Sequence, residues 1–208
     1  RTQCIRLLLE YVGEEYEERR YDKTDYAEWM QKDKHSLGLD FPNLPYYIDG
    51  SFKLTESVAI IRYIAEKYDM IGATREERAI ISMLEGFAVE LRHKFGKVAY
   101  SKHYEADKAE LSATLPALLG YMSKYLGEKK FFTGEKPIYV DFMLYECLKV
   151  LEYFDASQLK AHPNLEQFTK RIEELPRIEE YMKSDRFIEW PLHAWFAKFG
   201  GGDHPPSK

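Results

Sequence analysis

The chain has 208 residues, a mass of 24.6 kDa, 45% hydrophobic and 31% charged residues, a balance that excludes a disordered chain. Its 35 acidic residues exceed the 30 basic ones, for a net charge of −5. Basic pairs such as Arg19-Arg20 and Lys129-Lys130 sit beside acids, so no nucleic-acid-binding stripe is read. No apolar run reaches the 18 residues that a membrane-spanning helix needs. Cys4 and Cys147 are too few for a disulfide framework or a zinc cluster, which points to a reducing, cytoplasmic compartment. Surface scaling predicts about 10,000 Å² exposed when folded, enough burial for one large domain or two small ones.

In chain order, residues 4–12 predict a helix stopped by Gly13. Tyr16–Tyr21, charged between two tyrosines, predicts an edge strand. Residues 22–40 are polar, contain Trp29 and predict a loop with some helical turns. Asp49-Gly50 between two aromatic and aliphatic runs predicts a hairpin, with Pro45 at the head of its first strand. Apolar residues at 58, 60, 61, 64 and 65 predict a helix capped by Ser57 and ended by Gly72. Long helices follow over 75–100 and 104–126, with Ile80, Met83, Leu84, Phe87 and Leu91 at core spacing. Residues 127–137 read as a loop and Asp141–Phe154 as a buried helix. Two short helices, 163–175 and 177–184, flank Pro176. The tail from Trp190 to Pro206 is loop-like. Mixed α/β character up to about residue 72 and all-α character beyond it divide the chain into 1–72 and 73–208, with a linker near 71–75.

Several runs carry a more specific signal: Arg6-Leu-Leu-Leu-Glu-Tyr11, the stretch from Gly38 through Phe41-Pro-Asn-Leu-Pro-Tyr-Tyr-Ile-Asp49, and Leu54-Thr-Glu-Ser-Val-Ala-Ile-Ile-Arg-Tyr-Ile64. Ile81–Gly86, Val140–Tyr145 and Trp190-Pro-Leu192 continue it. Over nearly its whole length the chain resembles the cytosolic glutathione transferases, most closely the mu class and its flatworm members. The resemblance implies a thioredoxin-like N-terminal domain, an all-helical C-terminal domain, a cytoplasmic homodimer, and glutathione as co-substrate with no metal or other cofactor. It also implies a first strand and a Leu-Gly-Tyr-Trp segment bearing the catalytic tyrosine, ahead of the helix that holds Arg6. This sequence starts inside that helix at Arg1 rather than at Met. The expectation is therefore an incomplete thioredoxin-like domain, with roughly a dozen residues absent and no catalytic residue to carry over.

The chemistry at stake is thiol activation. Lowering a thiol pKa by two units takes about 2.7 kcal/mol of selective thiolate stabilisation. Glu56-Ser57 at a helix start offers a hydroxyl and free amides to a carboxylate and an acid to an ammonium, as an α-amino acid end presents them. Read without the resemblance, the same pair is an N-cap and a first-turn acid. By resemblance, glutathione is held by Trp29, Lys34, Asn43, Leu44, Pro45, Glu56 and Ser57, with Lys32 the rival of Lys34. Glu90 reaches the partner subunit's ligand. Asn43-Leu44-Pro45, with a cis Pro45, pairs its backbone with the ligand. His93, Lys97 and Tyr100 line the electrophile pocket, and His93 also reads as an ordinary surface histidine. Phe41 and Arg62 sit in the dimer interface. Asp141 resembles a capping-box acid whose usual Ser or Thr partner is replaced by Ile138. Cys4 and Cys147 read as packing residues.

The expected function is conjugation of glutathione to small hydrophobic electrophiles, in detoxification. A catalytically silent or ligandin-like binding protein on the same fold is the alternative, and a glutathione-dependent isomerase would differ only in its pocket.

Overall fold

The computed structural model describes residues 2–205. Arg1, where the sequence begins, and Pro206, at the end of the expected loop-like tail, lie outside the described residues. The first helix, α1 (Gln3–Val12), buries Cys4, Ile5, Leu7, Leu8 and Leu9. It ends at Gly13, whose φ of +74° lets its N–H and that of Glu14 close onto Leu9. A Cβ at Gly13 would fall 2.1 Å from the Arg177 guanidinium, which that flexible side chain can relieve by moving; the positive φ is what favours glycine here.

The predicted strand at Tyr16–Tyr21 does not form, and no ladder includes it among the described residues. The segment is pinned by side chains instead. Glu18 takes Arg6 and Arg20, the Arg20 guanidinium donates to the Arg186 carbonyl at 3.0 Å, and the Tyr16 hydroxyl donates to Glu10 at 2.8 Å. Residues 26–36 are three linked helical turns: α2 (Tyr26–Glu28), a π-type turn at Trp29–Asp33, and α3 (Lys34–Ser36).

Strands β1 (Tyr46–Asp49) and β2 (Phe52–Thr55) form an antiparallel hairpin with Asp49 opposite Phe52. The two-residue turn is therefore Gly50-Ser51, with Gly50 at φ +58°. Helix α4 (Ser57–Lys67) follows directly and buries Ile60, Ile61, Ile64 and Ala65. Two expectations are corrected here. The residue flanking the helix start is Glu56, and Ser57 is the first helical residue. The helix stops at Lys67 rather than Gly72, because Asp69 turns to φ +56° and the Met70 N–H closes onto Ala65.

Helix α5 (Arg75–Ala99) opens on a reciprocal cap. The Glu77 N–H donates to Thr74 Oγ1, and Thr74 N–H donates back to the Glu77 carboxylate, both at 3.1 Å. Leu84 and Leu91 face the core as predicted, but Ile80 and Met83 face outward and Ile81 takes the inner position. Helix α6 (Tyr104–Leu126) runs beside α5. Helix α7 (Tyr139–Lys160) is the most deeply buried element and breaks its helical path at Asp155, just beyond the predicted end at Phe154. Its start is held by buried Asp141, which accepts from the N–H groups of Phe132 and Ile138 and from the Thr133 hydroxyl at 2.8, 3.0 and 2.9 Å. Helices α8 (Pro163–Glu173) and α9 (Pro176–Met182) complete the bundle.

One continuous apolar core joins α1 and α4 to α5–α9. The tail lacks helix and strand but is tightly folded. Lys198 N–H reaches the Ala99 carbonyl at 2.8 Å, His193 N–H reaches Gly200 at 2.8 Å, and Phe199 is buried against Phe154.

Candidate active site

The chain between the hairpin and α4 brings two short segments together. A cis peptide joins Leu44 to Pro45. The Asn43 side chain accepts the Leu44 N–H at 2.9 Å and extends its amide toward Glu56, 3.5 Å away. Glu56 sits at φ +68°, ψ +111°, a strained backbone for a residue with a Cβ. This bend turns β2 into α4 and leaves the first amides of the helix, at Ser57, Val58 and Ala59, outside its hydrogen-bond ladder, which begins with Ile60 N–H to Glu56 at 2.9 Å. Ser57 Oγ receives the Arg92 guanidinium at 3.4 Å. Amides, a hydroxyl and a cation behind it favour an anion. The exposed carboxylate of Glu56 beside them favours an ammonium.

Trp29 is buried although its surroundings in the sequence are polar. It stacks on Tyr46 at 6.1 Å and 12°, and lies 5.3 Å from the Tyr21 ring. The Tyr21 hydroxyl donates to Asp33 at 2.7 Å and meets the Tyr46 hydroxyl at 3.4 Å. The face of the ring is stacked, as the packing reading has it, and the indole N–H has no hydrogen bond among the described residues. Between the rival lysines the structure distinguishes. Lys32 is paired with Glu28 at 3.5 Å, whereas half-buried Lys34 has no ion pair among the described residues.

On α5, His93 and Tyr100 are exposed. The Tyr100 hydroxyl accepts the Ala194 N–H at 3.0 Å, and its ring meets His193 edge-on at 5.8 Å. Lys97 lies 3.3 Å from both Asp107 and Glu110 of α6, contacts that raise its pKa, the Asp107 bond most. Glu90 is exposed and paired with Lys94 at 3.3 Å within its own helix. Arg62 forms a two-point pair with buried Glu85 at 2.6 and 2.5 Å, and Tyr139 donates to the same carboxylate at 2.8 Å. Phe41 is 78% exposed. Both cysteines are buried and neither is in a disulfide; burial pushes both thiols up, that of Cys4 to about 12, so neither is a nucleophile at neutral pH. No cluster of three metal-ligating side chains occurs among the described residues. A shallow hollow of about 500 Å³ lies at the start of α6, lined by Lys102, His103 and Lys198 among others, and contains none of the candidate residues.

Sequence reasoning missed four of these participants. Arg92 lies 35 residues from Ser57, and no local pattern links them. Tyr46 and Tyr21 order Trp29, for which the aromatic richness of the segment was the available signal. Ala194 meets Tyr100 from a tail that reads as loop.

A hairpin and helix followed by a helical bundle fit a thioredoxin-like domain joined to an all-helical one. The pattern of the glutathione S-transferase N-terminal domain matches residues 1–66, and that of the glutathione S-transferase C-terminal domain matches residues 89–185. The class-mu 26 kDa isozyme 7 of Fasciola hepatica is 51% identical over 99% of this chain and 94% of its own length. The class-mu 26 kDa isozyme of Schistosoma japonicum is 50% identical over the same shares. Glutathione S-transferase Mu 4 of Mus musculus is 45% identical over 95% of this chain and 92% of its own. Among solved structures, the glutathione S-transferase Blo t 8 superposes with a TM-score of 0.88 at 33% identity, covering 96% of this chain and 94% of that one. The chain belongs to the glutathione S-transferase family, with mu-class relatives along its whole length. It is a transferase of the kind that uses glutathione as co-substrate.

Proposed function

We propose that the γ-glutamyl end of glutathione is held by Glu56 and Ser57, its backbone by Asn43, Leu44 and Pro45, and its glycine end by Trp29 and Lys34. The thiol then faces small hydrophobic electrophiles on the side of His93, Lys97 and Tyr100. Detoxification, a cytoplasmic location and a homodimer complete the reading. In that homodimer Glu90 serves the neighbouring subunit's ligand, and Phe41 and Arg62 lie at the interface. The division into 1–72 and 73–208 belongs to the same reading. The observation that carries it is the start of α4, where unpaired amides and a hydroxyl lie beside an exposed carboxylate, the charge pattern of an α-amino acid in reverse.

The described tyrosines give no assigned thiol activator. The Tyr21 hydroxyl donates to Asp33 and meets the Tyr46 hydroxyl, and that of Tyr100 meets Ala194. Calorimetric titration with glutathione tests the binding half, and Ser57→Ala is expected to weaken it at least tenfold. Conjugation to 1-chloro-2,4-dinitrobenzene by the 208-residue chain tests the chemistry. Binding without turnover assigns these residues to holding the ligand and places the activating hydroxyl outside them. Turnover assigns activation to a group within them, with Tyr100 and His93 the first to replace.

A further inference from the structure

Ser57 is not alone at the start of α4. Arg92 comes up from α5 and places Nη2 3.4 Å from Ser57 Oγ. A guanidinium only donates, so the serine oxygen is the acceptor in this contact and its own O–H is left to point elsewhere. The Ser57, Val58 and Ala59 amides at the same helix start precede the first bond of its ladder, Ile60 N–H to Glu56. Arg92 is largely withdrawn from solvent; burial, the largest single influence, would lower its pKa, but the nearby Glu146 carboxylate and its other neighbours together more than offset that, and it stays charged. A buried charge is screened less than a surface one. Ser57 therefore stands between a fixed cation and the position an incoming carboxylate would take.

We propose that Arg92 is a positioning residue for the α-carboxylate of glutathione, acting through Ser57: by donating to Ser57 Oγ it fixes the hydroxyl as a donor toward the ligand. The inference rests on the glutathione reading of this site and adds a residue from the helical half of the chain to it. Arg92 touches no ligand atom in this scheme. Its effect must then vanish when the Ser57 hydroxyl is removed, which a purely structural role would not require.

The experiment is a double-mutant cycle read by calorimetric titration with S-hexylglutathione, whose blocked thiol separates binding from chemistry. Circular dichroism checks that each variant is folded. Arg92→Met is expected to weaken binding about tenfold, which corresponds to about 1.4 kcal/mol. On the Ser57→Ala background the same change is expected to cost less than twofold. Arg92→Lys, which keeps the charge should Met fail to fold, is expected to retain most of the affinity in the presence of Ser57. Wild-type affinity in Arg92→Met, or an equal loss with and without the Ser57 hydroxyl, overturns the proposal. Failure of the unaltered chain to bind S-hexylglutathione overturns the glutathione reading itself, and this inference with it.

Discussion

At Glu56 backbone strain and the proposed ligand contact meet in one residue. Its positive φ and extended ψ cost about 1–3 kcal/mol for a side chain with a Cβ, yet the bend is what turns the carboxylate toward Asn43 and the start of α4. Glu56→Gly removes both the strain and the acid. It is expected to raise the unfolding midpoint, by about 1 kcal/mol after the greater entropy of glycine in the unfolded chain is counted, while lowering glutathione affinity. A variant that loses stability as well as affinity would show that the bend is unstrained. Residues of this kind were legible in the sequence because they act where they stand: Glu56, Ser57 and Asn43 lie within fifteen positions of one another. Arg92 was not legible, since its bond to Ser57 spans two helices, and neither was the stacking of Trp29 on Tyr46.

Among the elements, the long helices were readable because a 3.6-residue apolar period needs no partner to be seen. The strand at Tyr16–Tyr21 was not, because a strand is made by what pairs with it, and here side-chain contacts to Arg6 and Glu10 of α1 take that place. The cap of α5 had a signal that was passed over: Thr74 followed three positions later by Glu77. The start of α7 offers a test. Asp141 is buried, and burial pushes its carboxyl up to about 6 from 3.8 against three donors that oppose it. The folded state therefore keeps this proton to higher pH than the unfolded chain does. Its stabilising effect is complete below about pH 3.8 and is lost as pH rises through about 6. Asp141→Asn cannot titrate, so urea midpoints from pH 4 to 7 should fall less steeply for it, by up to about 3 kcal/mol across the range. Parallel profiles for the two proteins would rule this out.

The whole molecule exposes 12,125 Å², where about 10,000 Å² is expected of a compact chain of this mass. Part of the excess is apolar: Phe41 is 78% exposed and Met83 56%. That surface fits the proposed homodimer, for which light scattering should give twice the chain mass. Phe41→Ala should raise the dimer dissociation constant at least about tenfold, as loss of an aromatic anchor does; an unchanged constant would remove Phe41 from the interface. The sequence divides near residue 72 by character, but the packing does not divide with it, since α1 and α4 bury their apolar faces against helices from the second half. Calorimetry should therefore show a single transition with equal van't Hoff and calorimetric enthalpies, and two resolved transitions would contradict the shared core. The consequence is a limit on modularity. Neither half can be exchanged for a relative's as a cassette unless the seam is exchanged with it, so the hairpin proposed to hold the ligand is only as rigid as the helices packed behind it.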